Sequence, residues 1–271
     1  MRLYIRHETT YAYHAPLTHS VQRLCLTPRS FESQKTHSWT IQAPGFRNGF
    51  SHVDCFGNII HMITATSVKG PFSIIAEGTV ECHDSAGVVR GITSQVADGV
   101  FLRQTAATAP SAAMIEWLAE NDLGQTSDPL QTLHSLSDRI HQKVTYVLGA
   151  TDSETTAAQA FADNQGVCQD HAHIFIGLAR QIGIPSRYVT GYLITGTGAS
   201  STASHAWAEA LIPDLGWVGF DPANNKSPTE HYVRVAMGIE AANISPVRGS
   251  RRGGGAKETM DVAVRVEIAQ Q

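Results

Sequence analysis

Between residues 90 and 110 the hydrophobic period of the chain changes, and that change limits the possible folds more than any other feature. From Met1 to about Val89, short apolar runs recur between Pro- and Gly-containing turns: Leu3-Tyr4-Ile5-Arg6, Ser38-Trp39-Thr40-Ile41, Ile59-Ile60-His61-Met62-Ile63 and Phe72-Ser73-Ile74-Ile75. This is the pattern of an antiparallel, sandwich-like β module. From Pro110 the spacing becomes helical, with Ile115, Leu118 and Ala119 on one face and Leu133, Leu136 and Ile140 on another. An α+β chain is expected, with a β module over residues 1–95, a helical connector over 96–127 and a second domain over 128–271 that closes with a return strand from Met260 to Ile268.

Composition narrows the function classes. The net charge of −4 and one short basic cluster, Arg248-Gly-Ser-Arg251-Arg252, give no electrostatic reason for a nucleic-acid partner. No apolar run reaches the roughly 18 residues of a membrane span, and the alternating start MRLYIRHETTYAYHAP lacks a signal-peptide core, so a cytoplasmic protein without a membrane partner is expected. Cys25, Cys55, Cys82 and Cys168 are scattered, which argues against a disulfide framework or a CxxC zinc site. Neither a GxxxxGK[ST] phosphate loop nor a DxDxDG calcium loop occurs, and the Gly253-Gly254-Gly255 tract reads as a turn, so no cofactor or metal is expected.

Local punctuation is sharpest around Cys168. Thr156 with Gln159 fits a capping box for a short helix through Ala160 and Phe161, which ends at Asn164-Gln165-Gly166. A second helix begins near Cys168, carries Ile174, Leu178 and Ile182 inward, and stops at Gly183 before Pro185. Three strands follow, Ser186 to Ile194, His205 to Ile212 and Gly216 to Phe220, with a small, polar stretch from Thr195 to Ser204 that reads as a flap.

A cysteine in the first turn of a helix has a physical reason to react. Unpaired N–H groups and the positive end of the helix dipole favour thiolate, and such placement can lower a cysteine pKa from ~8.5 to roughly 3.5–7.5. A base can come from the hairpin HAWAEALIPDLGWVGFDP. A turn centred on Pro213 sets His205 opposite Asp221, Trp207 opposite Gly219 and Glu209 opposite Trp217. His205 and Asp221 then share a face with Cβ atoms about 4.5–5.5 Å apart. The carboxylate would orient the imidazole, and the imidazole would serve the thiol if the helix packs its N-terminus there.

Other readings of these residues are plainer. His205 could be a hydrogen-bonded sheet residue, and Asp221 could initiate a turn through Asp-Pro. Trp207 and Trp217 read as core residues, with Trp207 also placed to wall a cleft beside His205. Cys25, Cys55 and Cys82 are assigned to packing. His171 and His173 point about 200° apart on a helix and cannot chelate one ion, so one of them is expected inside with its ring hydrogen-bonded. Asp170 is expected to complete the helix N-terminus or to hold a neighbouring loop.

The strings Gly166-Val-Cys168-Gln-Asp170-His-Ala-His, Gly183-Ile-Pro-Ser-Arg187-Tyr-Val-Thr-Gly191-Tyr192, His205-Ala-Trp207-Ala-Glu209 and Gly216-Trp217-Val-Gly-Phe-Asp221-Pro222 resemble the bacterial transglutaminase-like core, a branch of the papain-like thiol enzymes. The β module, with Tyr11-Ala-Tyr13, Leu26-Thr27-Pro28-Arg29 and Asp54-Cys-Phe-Gly57-Asn58, is similar to the module that precedes this core in many bacterial members. The resemblance implies a papain/transglutaminase-like core in which the cysteine helix packs on an antiparallel sheet. It also implies Cys168 as nucleophile, His205 as base and acid, and Asp221 as the orienting carboxylate. The implied chemistry is acyl transfer from a peptide or protein amide through a thioester. The Cys168 N–H and either Gln165 or Tyr146 are candidates for the oxyanion, and Trp207 for substrate contact. Hydrolysis of a peptide or isopeptide-like amide is the leading expectation. Amine cross-linking of protein glutamine and a catalytically silent protein- or glycan-binding module are the alternatives.

Overall fold

The computed structural model describes residues 1–46, 49–92, 94–124, 128–194, 204–255 and 257–269. The expected flap, apart from Ser204, lies outside the described residues. Six strands make up the first part: Arg2–Tyr13 (β1), Leu17–Thr27 (β2), Gln34–Gln42 (β3), Phe50–Val53 (β4), Ile59–Val68 (β5) and Phe72–Cys82 (β6). Along β1, buried and partly buried residues alternate from Leu3 to Tyr11, the period of a strand with one face on a core. Two late strands join them, Val247–Gly253 (β14) and Glu258–Ile268 (β15). The result is two antiparallel four-stranded sheets, ordered β15-β1-β6-β3 and β14-β2-β5-β4. Tyr11, Ile41, Ile74 and Ala76 from the first meet Leu24, Leu26 and Ile63 from the second in one apolar cluster, so the module is a sandwich.

The return of the chain goes further than expected. Residues 247–268 do not close the second domain. They pair with β1 and β2 and complete the module. In exchange, Val88–Val89 (β7), from the stretch assigned to the module, pairs with a strand of the second domain.

The second domain has a five-stranded antiparallel sheet in the order β13-β10-β11-β12-β7. Its long strands are Ser186–Leu193 (β10), His205–Ile212 (β11), Gly216–Phe220 (β12) and Tyr232–Gly238 (β13). Four helices accompany it: Ala112–Glu120 (α1), Pro129–Lys143 (α2), Ala157–Asp163 (α3) and Cys168–Gln181 (α4). Every residue of α4 from Asp170 to Arg180 is buried, because α4 packs on β10 and β11 while α1, α2 and α3 pack around it. Gly177 permits this: a Cβ there would lie 2.0 Å from the Thr108 carbonyl oxygen of the connector. At its far end α4 is held by Arg180, whose guanidinium donates to the carbonyls of Phe101, Arg103, Ser186 and Ile239.

The capping box at Thr156 and Gln159 is present, and α2 buries Leu133, Leu136 and Ile140 as expected. In α1 the inward residues are Met114 and Leu118, while Ile115 is exposed. The helix turns toward its neighbours through Trp117, which meets Phe161 edge-on.

Two buried side-chain amides fasten the module to the outer edge of β13. Gln34 donates to the Arg234 carbonyl at 2.8 Å and accepts from the Arg234 N–H at 2.7 Å. Asn58 does the same for Met237, at 2.8 and 2.9 Å. Each amide supplies the donor and acceptor that another strand would have offered, so an edge that would otherwise stay unpaired is closed. No helix among the described residues is long and apolar enough to cross a membrane.

Candidate active site

Helix α4 starts at Cys168, and the turn before it is built for that start. Asn164 takes a left-handed conformation at the end of α3, and Gln165–Gly166 (β9) pairs in parallel with Thr145–Tyr146 (β8). Asp170 then reaches back: its Oδ2 accepts the Val167 N–H at 2.7 Å and the Thr151 hydroxyl at 2.6 Å. One carboxylate thus satisfies an orphan donor at the helix start and also holds the neighbouring loop. Burial raises its pKa, while the Thr151 and Val167 bonds pull the other way. Gly166 is required for this approach, since a Cβ there would stand 2.7 Å from the Asp170 Cβ.

His171 sits one turn into the same helix. Its Nδ1 faces the Val167 carbonyl and its Nε2 the Val144 carbonyl, both at 2.9 Å, which ties the helix start to the strand carrying Tyr146. His173 is buried behind it, with Nε2 accepting the Ala241 N–H at 3.2 Å. Both rings are therefore inside, not one.

The hairpin brings the base. Its register is displaced by two residues from the symmetric one: Glu209 lies opposite Gly219 and Leu211 opposite Trp217. The reason is the turn, whose left-handed residues are Asp214 and Gly216, so the loop centres on Asp214 rather than Pro213. A displacement of two preserves every side-chain face, whereas a displacement of one would have reversed them all. His205 therefore still meets Asp221, diagonally, with Nε2 2.7 Å from Oδ2.

Asp221 is buried and ionised. Burial opposes the charge, but the His205 hydrogen bond and charge, with bonds from Asn224 and Tyr232, outweigh it and lower the pKa. Oδ2 accepts from the Tyr232 hydroxyl at 2.7 Å and from the Asn224 amide at 2.8 Å. An ionised carboxylate only accepts, so His205 Nε2 is the donor and Nδ1 is left for Cys168. For His205 burial works against the charged ring. The hydrogen bonds and charges of Asp221 and Cys168 prevail and raise its pKa to about 10.

Tyr146 joins this group. It is 46% exposed, and burial, the Cys168 and Asp221 charges and a hydrogen bond with Cys168 raise its pKa, so the phenol keeps its proton and can donate. Gln165 lies in β9 beside Thr145, three residues before Cys168. Trp207 does not wall an open cleft. It is 2% exposed and packs edge-on against Tyr232, with its ring 6.3 Å from that of His205. Trp217 is a packing residue, with the Arg187 guanidinium 3.8 Å over its ring.

Of the remaining cysteines, Cys25 and Cys82 are buried, and burial drives both thiols up to about 12. Cys55 is exposed instead of packed, because it falls in the turn between β4 and β5. Sequence reasoning missed Tyr232 and Asn224. Asn224 had a local signal: its N–H bonds Asp221 Oδ1 three residues back, at 3.3 Å, the habit of an Asp that opens a turn. Tyr232 had none, since only sheet pairing brings β13 to the site.

The likeness to known proteins covers both parts of the chain. Residues 117–222 match the transglutaminase-like superfamily core, and residues 3–81 match the bacterial transglutaminase-like N-terminal region. An uncharacterized protein of Mycobacterium leprae is 28% identical over 98% of each chain. A protein-glutamine gamma-glutamyltransferase of Pseudomonas aeruginosa is 29% identical over 111 residues, which is 38% of this chain and 16% of that one. A crystal structure of a candidate cysteine protease from Cytophaga hutchinsonii shares the fold with a TM-score of 0.72 at 20% identity, covering 99% of this chain and 98% of that one. Matched in its core and in its N-terminal region, the chain belongs to the transglutaminase-like superfamily.

Proposed function

We propose that the protein is a thiol-dependent acyl-transfer enzyme that hydrolyses peptide or isopeptide-like amide bonds. The observation that carries this reading is the pairing of His205 through Nε2 with Asp221, which leaves Nδ1 to the thiol at the start of α4. The proton shared with Cys168 is held by His205, and the sulfur attacks the amide carbonyl to form a C–S bond. Negative charge on the carbonyl oxygen is met by the Cys168 N–H and the Tyr146 hydroxyl. As the C–N bond breaks, the departing amine takes the proton from His205 Nδ1, leaving a thioester. Water then attacks with His205 as base, the C–S bond breaks, and the site returns to its starting state with the proton on His205. Asp221 keeps its charge throughout, holding the ring in place and stabilising the imidazolium.

A primary amine in place of water would give cross-linking, the activity in the name of the Pseudomonas relative. A silent binding module is disfavoured by a nucleophile, base and orienting carboxylate that all face one another. The test is a screen of peptide and γ-glutamyl amides with and without added primary amine. Release of ammonia or peptide faster than amine incorporation is expected, with turnover lost at least about 10³-fold in Cys168→Ala. Amine incorporation that outruns release would overturn hydrolysis, and unaltered turnover in Cys168→Ala would overturn the thiol mechanism.

A further inference from the structure

A cavity of about 390 Å³, within the range of ligand pockets, lies at the seam between the β module and the second domain. Its lining includes Gln169 and Ser204, the chain neighbours of Cys168 and His205. Tyr188, on the second-domain side, lies close enough to Cys168 for the sulfur's charge to add to the burial that raises its pKa. The cavity therefore lies beside the segments that carry Cys168 and His205.

The module wall has a regular origin. In the β1/β15 register Ile5 pairs with Val266, His7 with Val264, Thr9 with Val262 and Tyr11 with Met260. All these residues lie on one face, since they are two apart along each strand. At Val264 and Val266 that face is covered and buried. At Val262 and Met260 the cover stops: these side chains are 40% and 60% exposed and line the cavity together with Thr9 and Tyr11. Past Val264 the apolar side chains of this face therefore open into the cavity.

The cavity's chemistry is uniform. Among the described residues its lining holds no Asp, Glu, Lys or Arg. Its histidine, His7, is neutral, because burial lowers its pKa to about 4. The polar atoms come from Thr, Ser, Tyr and Gln side chains, and the rest is aliphatic. An ionised group entering such a space would lose its water without gaining a partner.

We infer that this cavity seats the neutral, apolar side chain of a substrate residue flanking the reacting amide, which makes the β module the specificity wall of the active site. The inference rests on the amide reading for the word substrate, and binding tests it without turnover. The probes are acetyl-Gly-Xaa-Gln-Xaa-Gly-amide peptides with Xaa norleucine, glutamate or lysine, titrated by calorimetry into Cys168→Ala protein. The norleucine peptide is expected to bind about tenfold or more tighter than either charged peptide. Val262→Lys in the same background, at a partly exposed position, is expected to reverse the order in favour of glutamate. Met260→Lys does the same should the first variant melt early. Equal binding of all three peptides, no binding of any, or an order that both lysine variants leave unchanged overturns the assignment. Wild-type turnover is scored separately. If no amide is turned over, the chemistry falls while the binding order still decides the cavity.

Discussion

Strand β11 carries two charged clusters four residues apart on the same face, and they are finished differently. Glu209 lies between Arg187 of the neighbouring β10, at 2.6 Å, and Arg234 of β13, the strand beyond it, at 2.8 and 3.2 Å, so both carboxylate oxygens are bound by guanidinium groups. His205 is bound by Asp221 through one nitrogen only, and its side chain stays 10% exposed. The first cluster is closed and has no valence left for a ligand. The second is closed around Asp221, while Nδ1 is turned to Cys168. Buried charge and shifted pKa values are common to both, so neither marks the site. A partly exposed ring that faces a thiol at a helix start does.

Substitutions should separate the two. The largest effect is expected from Asp221→Asn, which keeps the shape but removes the charge that orients and stabilises the ring: turnover of the folded enzyme should fall by up to about 10⁴-fold. A variant retaining a tenth or more of the activity would show that the carboxylate is structural, like Glu209. Next is Glu209→Gln, which strands two buried guanidinium groups and should cost about 3–5 kcal/mol in denaturant unfolding. A loss under 1 kcal/mol would mean that the arginines find other partners and that the cluster is not closed in the sense described.

The clusters should also fail at opposite ends of the pH scale. Glu209 is lowered from its ordinary 4.5 to about 2 because the Arg234 and Arg187 charges overcome the burial that opposes them. Its stabilisation is therefore present above about 4.5 and lost as pH falls toward 2. His205 is raised from 6.5 to about 10, so its stabilisation is full below 6.5 and lost as pH rises through 10. In Glu209→Gln the acid limb of the stability curve should flatten, and in Asp221→Asn the alkaline limb. The smallest effect is expected from Tyr232→Phe, which deletes one of several bonds to Asp221 and should cost about 1–2 kcal/mol in stability or activation. A larger kcat loss than that of Asp221→Asn would make Tyr232, not the carboxylate, the main orienting group.

What could be read in advance was local. The capping box at Thr156, the turn ahead of Cys168 and the stop at Gly183 are written in consecutive residues, so the helix that starts at Cys168 was legible to within a residue or two. The hairpin strands were legible too, but their register was not, because it depends on which residues of the turn accept a left-handed backbone. What depended on distant pairing was hidden. Tyr232 reaches Asp221 because β13 pairs with β10, and β14, with its run of Arg and Gly, becomes a strand only because β2 is there to receive it. The open face at Met260 and Val262 belongs to the same class, since its meaning comes from the register with β1.

The strands β14 and β15 have a consequence for synthesis. On the ribosome, β1 and β2 emerge more than 200 residues before their partners on one side. Throughout the making of the second domain both sheets present naked edges, the condition in which nascent chains pair wrongly with one another. The module cannot finish folding first and hand over to the domain behind it. Its closure comes last, and the face at Met260 and Val262 is assembled only after Cys168, His205 and Asp221.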